Sequence, residues 1–101
     1  MAVPEIIEVD PRTLHLPPSR QQGVDPFKLA RQIARYRSSV VGMPRPWVIR
    51  GKDGKLRIQD GVTRATRVAQ LLPGQTIEVE VIATLPSLDL TLCPTIGDLL
   101  P

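Results

Sequence analysis

Apolar and polar positions along the chain follow two repeats in turn, and each switch marks an element boundary. The apolar run "EIIEV" (5–9) is the first strand candidate, closed by the turn pair Asp10-Pro11. "RTLHL" (12–16) is a further extended piece, and "PPSRQQG" (17–23) is a polar loop. Asp25 then offers an N-cap, and Pro26 a first helical position where a missing N–H costs nothing. The helix they begin is expected to run to about Arg37. Leu29, Ala30, Ile33, Ala34 and Tyr36 form its apolar side, with Lys28, Arg31 and Arg35 along one basic face. That face reads first as a solvated one, with phosphate contact as the alternative. "WVIR" (47–50) and "KLRIQ" (55–59) are two strands joined through Lys52-Asp53-Gly54-Lys55, where Asp-Gly tolerates the positive φ angles of a tight hairpin. Leu56 and Ile58 alternate with Arg57 and Gln59, which places Arg57 and Gln59 on the solvent face. At Gly61 the period changes. Val62, Ala65, Val68, Ala69 and Leu72 recur at helical spacing up to Pro73-Gly74. In "TIEVEVIA" (76–83), Ile77, Val79 and Val81 face one way and Glu78 and Glu80 the other.

The order strand, helix, hairpin, helix, strand predicts an α/β fold: a small single domain with a mixed sheet and two main helices, too short for a doubly wound sheet. Residues 1–83 form this domain. Residues 84–101, with three prolines and no sustained period, form a C-terminal tail that is irregular or packed on the domain.

Composition narrows the class. The chain has 101 residues, enough for one core with little margin. Phe27, Tyr36 and Trp47 are its only aromatic side chains, so aliphatic residues must fill that core, and Trp47 in its strand is expected to join them. No apolar run approaches the roughly 20 residues of a membrane span, and "MAVPEIIEVD" lacks the basic and apolar regions of a secretion signal. These features predict a cytoplasmic protein with no membrane partner. The single cysteine, Cys93, excludes an intrachain disulfide and reads as an ordinary packed or tail thiol. His15 has no companion at metal-binding or catalytic spacing and reads as a surface histidine.

Charge changes the picture more. The net charge is +3, yet all 13 Lys and Arg residues lie between Arg12 and Arg67, opposed there only by Asp25, Asp53 and Asp60. The flanks hold the other seven acids and no base. A basic segment of this kind attracts phosphate-bearing partners.

The stretch "KLRIQDGVTRATRVAQLL" places a strand-to-helix corner inside that segment. The free N–H groups of a helix's first turn, with the positive end of its dipole, form an anion site. Gly61, Val62, Thr63 and Arg64 make up the corner, and Thr63 adds a hydroxyl. Helix end and arginine together contribute about 0.3–2 and 1.5–3 kcal/mol to a bound anion, which amounts to millimolar or somewhat tighter affinity. Useful affinity therefore requires a di- or triphosphate, a base pocket, or further basic groups; Arg20 in the polar loop and Arg67 are the expected ones. A purely structural reading stands beside this one. In it Gly61 permits the sharp turn, Asp60 caps the helix, and Arg64 pairs with Asp60.

"LARQIARYRSSVVGMPRPWVIRGKDGKLRIQDGVTRATRVAQLLPGQTIEVEVI" resembles the ParB/sulfiredoxin superfamily, over about Ile7 to Ile82. The likeness lies in a helix before a Pro-hydrophobic strand, a hairpin, Gly-x-x-Arg at a helix start, and a closing strand. It implies a ParB/sulfiredoxin-like fold whose helix N-terminus binds nucleotide phosphates. Sulfiredoxins read Gly-Cys-His-Arg at this corner; Val62 and Thr63 stand in those places, and valine is no nucleophile. ParB proteins read Gly-Glu-Arg-Arg and continue into a helix-turn-helix domain, for which this chain is expected to be too short.

Three functional readings follow. The first is a stand-alone ParB-like domain that binds nucleotide or nucleic-acid phosphate at Gly61, Val62, Thr63, Arg64, Arg67 and Arg20. The second is a phosphoryl-chemistry enzyme, since the resemblance implies relatives that are nucleases, nucleoside triphosphatases and kinases. Asp60 is then the candidate catalytic carboxylate, and a nucleoside triphosphate with magnesium the candidate cofactor. The third is a protein-interaction module that contacts its partner through the tail and keeps only a vestigial nucleotide site.

Overall fold

In the computed structural model, which describes residues 3–100, four strands and two helices follow in the order the periodicity predicts. They are β1 (Glu5–Val9), α1 (Pro26–Tyr36), β2 (Trp47–Arg50), β3 (Leu56–Asp60), α2 (Val62–Leu71) and β4 (Ile77–Thr84). Met1, Ala2 and Pro101, the ends of the expected domain and tail, lie outside the described residues.

The strands form one mixed sheet in the order β1-β4-β2-β3. β4 is antiparallel to β1 and parallel to β2, and β2 is antiparallel to β3. The β2–β4 pair is parallel because β3 and α2 together make the crossover between them. Cross-strand partners Ile7 and Val79, Val9 and Ile77, and Val48 and Ile58 turn one face of the sheet inward. Ala65, Val68 and Ala69 of α2 are buried in the same cluster, with Leu14 and Leu16. At about 25 cal/mol per Å², each large aliphatic side chain buried there contributes roughly 1.5–3 kcal/mol.

Asp53 and Gly54 have φ angles of 61° and 75°, the two consecutive positive values that turn β2 back into β3. The segment 12–16 is only half extended. Asp10 caps a 3-10 turn at Pro11–Thr13 by accepting from the Arg12 N–H at 2.9 Å. Leu14 to Leu16 then run along the free edge of β3, with the His15 N–H donating to Leu56 O at 2.9 Å and Ile58 N–H donating to His15 O at 2.8 Å. The segment after β4 lies on the outer side of this edge. Leu16 N–H donates to Pro94 O and Ile96 N–H to Leu14 O at 2.8 and 2.9 Å, and Leu90 and Ile96 are buried.

Six side chains depart from expectation. α1 has no buried residue: Leu29, Gln32 and Ile33 are half-buried, while Ala30, Ala34 and Tyr36 are exposed. The helix packs against α2 rather than over the sheet, so one narrow stripe suffices. Trp47 is 48% exposed, because Val48 takes the core-facing position and Trp47 points to the opposite face of the sheet. Arg57 is half-buried beside His15, with its Nε unpartnered. His15 is half-buried too, its Nδ1 lying 2.8 Å from Cys93 O.

Candidate functional site

The corner forms where the sequence changes period. Gly61 adopts φ 100°, a left-handed conformation that only glycine takes without cost, and stands as the N-cap of α2. A Cβ added there would lie 2.9 Å from Arg64 Nη2 and 3.0 and 3.1 Å from Pro46 Cβ and Cα. Gly61 O accepts the first helical bond from Ala65 N–H at 3.0 Å, and no side chain caps the turn. The N–H groups of Val62, Thr63 and Arg64 are therefore free to meet a ligand. The structural reading of the corner thus holds in part: Asp60 does not cap α2, but its carboxylate lies 3.4 Å from Arg64 Nη2. The Arg64 side chain is 22% exposed and Asp60 is 63% exposed, so this is a surface pair worth about 0.2–1 kcal/mol. Arg64 Nε has no partner.

The corner opens into a cleft of about 610 Å³, within the range of small-ligand sites. α1 forms its second wall and contributes Lys28, Arg31 and Arg35. Arg20 enters from the 3-10 turn Pro18–Arg20. With Arg64, five cations converge on the space, against the two carboxylates Asp25 and Asp60. Asp25 is already engaged, capping α1 by accepting from Phe27 and Lys28 N–H at 2.9 and 3.4 Å. The amphipathic faces thus have opposite partners: α1 shows α2 its Leu29 and Ile33 stripe and shows the cleft its bases.

Among the residues expected at the site, Gly61, Val62, Thr63, Arg64, Asp60 and Arg20 all line this cleft, whereas Arg67 does not. Arg67 is 1% exposed and serves the fold. Its Nη1 donates to Arg37 O at 2.7 Å and Ser39 O at 2.8 Å, and its guanidinium lies 5.5 Å from the Tyr36 ring centre. It ties down the exit from α1, where Arg37 has φ 51°. Burial pushes its pKa down from the ordinary arginine value, with Tyr36 opposing. Helical spacing puts Arg67 on nearly the same side of α2 as Arg64, but the carbonyls of Arg37 and Ser39 hold its guanidinium in the interior. Lys28, Arg31 and Arg35 take its place. Their stripe is visible in sequence; its facing of the corner is not.

No protein-family model matches the chain, and a search of curated proteins returns no match. No three His, Cys, Asp or Glu side chains come together to hold a metal among the described residues. Of the two carboxylates that line the cleft, Asp60 directly precedes the corner in sequence, while Asp25 caps α1.

Proposed function

We propose that this chain is a stand-alone ParB/sulfiredoxin-like domain, working in the cytoplasm, that binds the phosphates of a nucleotide or nucleic acid in the cleft between α1 and α2. The observation that carries the reading is the convergence of five cations from three elements on an uncapped helix N-terminus. A cation in a first helical turn opposes the dipole, and cations facing one another repel; a bound polyanion reverses both costs. The reading assigns the free N–H groups of Val62, Thr63 and Arg64 to one phosphate and the α1 bases to its neighbours. Thr63 supplies a hydroxyl, and Arg64 leaves Asp60 for the ligand. The domain is a binding module, with no bond-breaking step assigned to Asp60.

Calorimetric titration with the four ribonucleoside triphosphates, with and without magnesium, tests this. Arg64→Ala is expected to lose roughly 1.5–3 kcal/mol of binding, the scale of a charge-assisted hydrogen bond. Lys55→Ala, an exposed charge outside the cleft, is the control. Equal losses for the two variants would reduce the site to a diffuse basic surface.

A further inference from the structure

We infer that the cleft takes a single strand of nucleic acid, held by its phosphates, rather than a free nucleotide; this rests on the phosphate-binding reading above and specifies its ligand. Nucleotide sites that select one base surround it with apolar and aromatic walls and a few convergent polar groups. This cleft has no such wall. Apart from Pro17 and Val62, its side chains are charged or polar, and its one aromatic ring, Tyr36, has guanidinium groups of Arg35 and Arg67 at 5.4 and 5.5 Å from its centre. What the cleft offers instead is repetition along a line. Lys28, Arg31 and Arg35 stand at successive turns of α1, and seven residues of helix span about 10 Å. Phosphates recur every ~3.4 Å along a strand's axis in the duplex, so a row of this length faces several of them. Arg64 and the free α2 N–H groups, which line the same cleft together with Arg20, take one more phosphate.

A free nucleoside triphosphate fills part of that row and gains nothing from its base. A strand adds a phosphate for each base it meets. Cations from α1 and from the α2 corner line this one cleft, a positively charged groove of the kind along which a single backbone runs. Affinity then depends on counterions released, and each phosphate neutralised on a single strand adds about 0.7 to the salt slope.

The test uses the full chain and a labelled twelve-residue oligothymidylate, followed by fluorescence anisotropy between 50 and 200 mM salt. Matched arms contain the same strand in a duplex, inorganic tripolyphosphate, and each of the four nucleoside triphosphates. The strand is expected to bind more tightly than the duplex or any triphosphate. A log–log salt slope near −3 is expected, or roughly 60-fold weaker binding across that range. The variant Lys28→Ala/Arg31→Ala/Arg35→Ala, at three exposed positions, should flatten the slope by about 2, while Arg31→Ala alone flattens it by about 0.7. Tripolyphosphate binding is expected to fall on Arg64→Ala and to change less in the triple variant. Duplex binding equal to the strand's would overturn the inference. So would one nucleoside triphosphate binding tenfold tighter than the other three, although the phosphate site would then survive. No binding by any probe at 50 mM salt would overturn both.

Discussion

Substituting Gly61 by alanine tests whether the corner is as crowded as its geometry states. The left-handed backbone at φ 100° costs an alanine about 1–2 kcal/mol. The added methyl would also lie 3.0 and 3.1 Å from Pro46 Cβ and Cα, atoms of a buried ring that cannot rotate away. Overpacking of that kind costs roughly 1–3 kcal/mol. Gly61→Ala should therefore destabilise the fold by about 2–5 kcal/mol, and each kcal/mol lowers the melting temperature of a domain this size by about 4–8 °C. Gly54→Ala separates the two contributions, because Gly54 has φ 75° and open space around it. It should cost only the backbone part. Urea unfolding measures both, with an unchanged denaturant slope as the check that the unfolded state is comparable. If Gly61→Ala were no worse than Gly54→Ala, the close approach of Pro46 to the corner would be refuted.

Arg67→Met should lower stability by about 1–3 kcal/mol for each of the two carbonyls it leaves unpaired, yet leave phosphate affinity of the folded protein within twofold; a selective loss of affinity would return Arg67 to the site. Asp60→Asn removes a carboxylate from the cleft and frees Arg64, so it should tighten triphosphate binding and cost less than about 1 kcal/mol of stability. If the protein instead released phosphate from a triphosphate and Asp60→Asn abolished that release, the enzymatic reading would hold. Hydrogen bonds from Thr95 lower the pKa of Asp98 from its ordinary 3.8, those from Thr91 lower that of Asp89, and one from Arg50 lowers that of Glu5 from 4.5. A depressed carboxylate pKa stabilises the fold above its unfolded value, and that contribution is lost as pH falls through the folded one. Thermal melts should therefore be flat from pH 7 to 5 and fall in the acid range below 3.8–4.5, with a shallower fall in Asp98→Asn.

The elements were legible because each is signalled locally. Asp25-Pro26 starts a helix wherever it is placed, Asp53-Gly54 turns a hairpin, and the change of period at Gly61 needs no tertiary context. The candidate site was half legible for the same reason: Asp60 to Arg64 are contiguous in sequence. Arg67 was misplaced because helical spacing states which side chains share a face but not whether that face meets solvent or a neighbouring chain exit. The carbonyls of Arg37 and Ser39, 30 and 28 residues away, decided that. Trp47 failed similarly. An aromatic residue in a strand is apolar enough for a core, but the register at Val48 assigned it the other face. The role of α1 as the second wall depends on the packing of Leu29 and Ile33 against α2, a long-range contact with no one-dimensional signature.

The most direct test of the central claim is a titration of the isotopically labelled protein with a nucleoside triphosphate, followed through its backbone amide resonances. If the cleft binds phosphate through the uncapped turn, the largest shifts should fall on Val62, Thr63 and Arg64, with smaller ones along Lys28 to Arg35. Shifts scattered over the basic surface with no maximum at the corner, or no shifts at millimolar ligand, would contradict it.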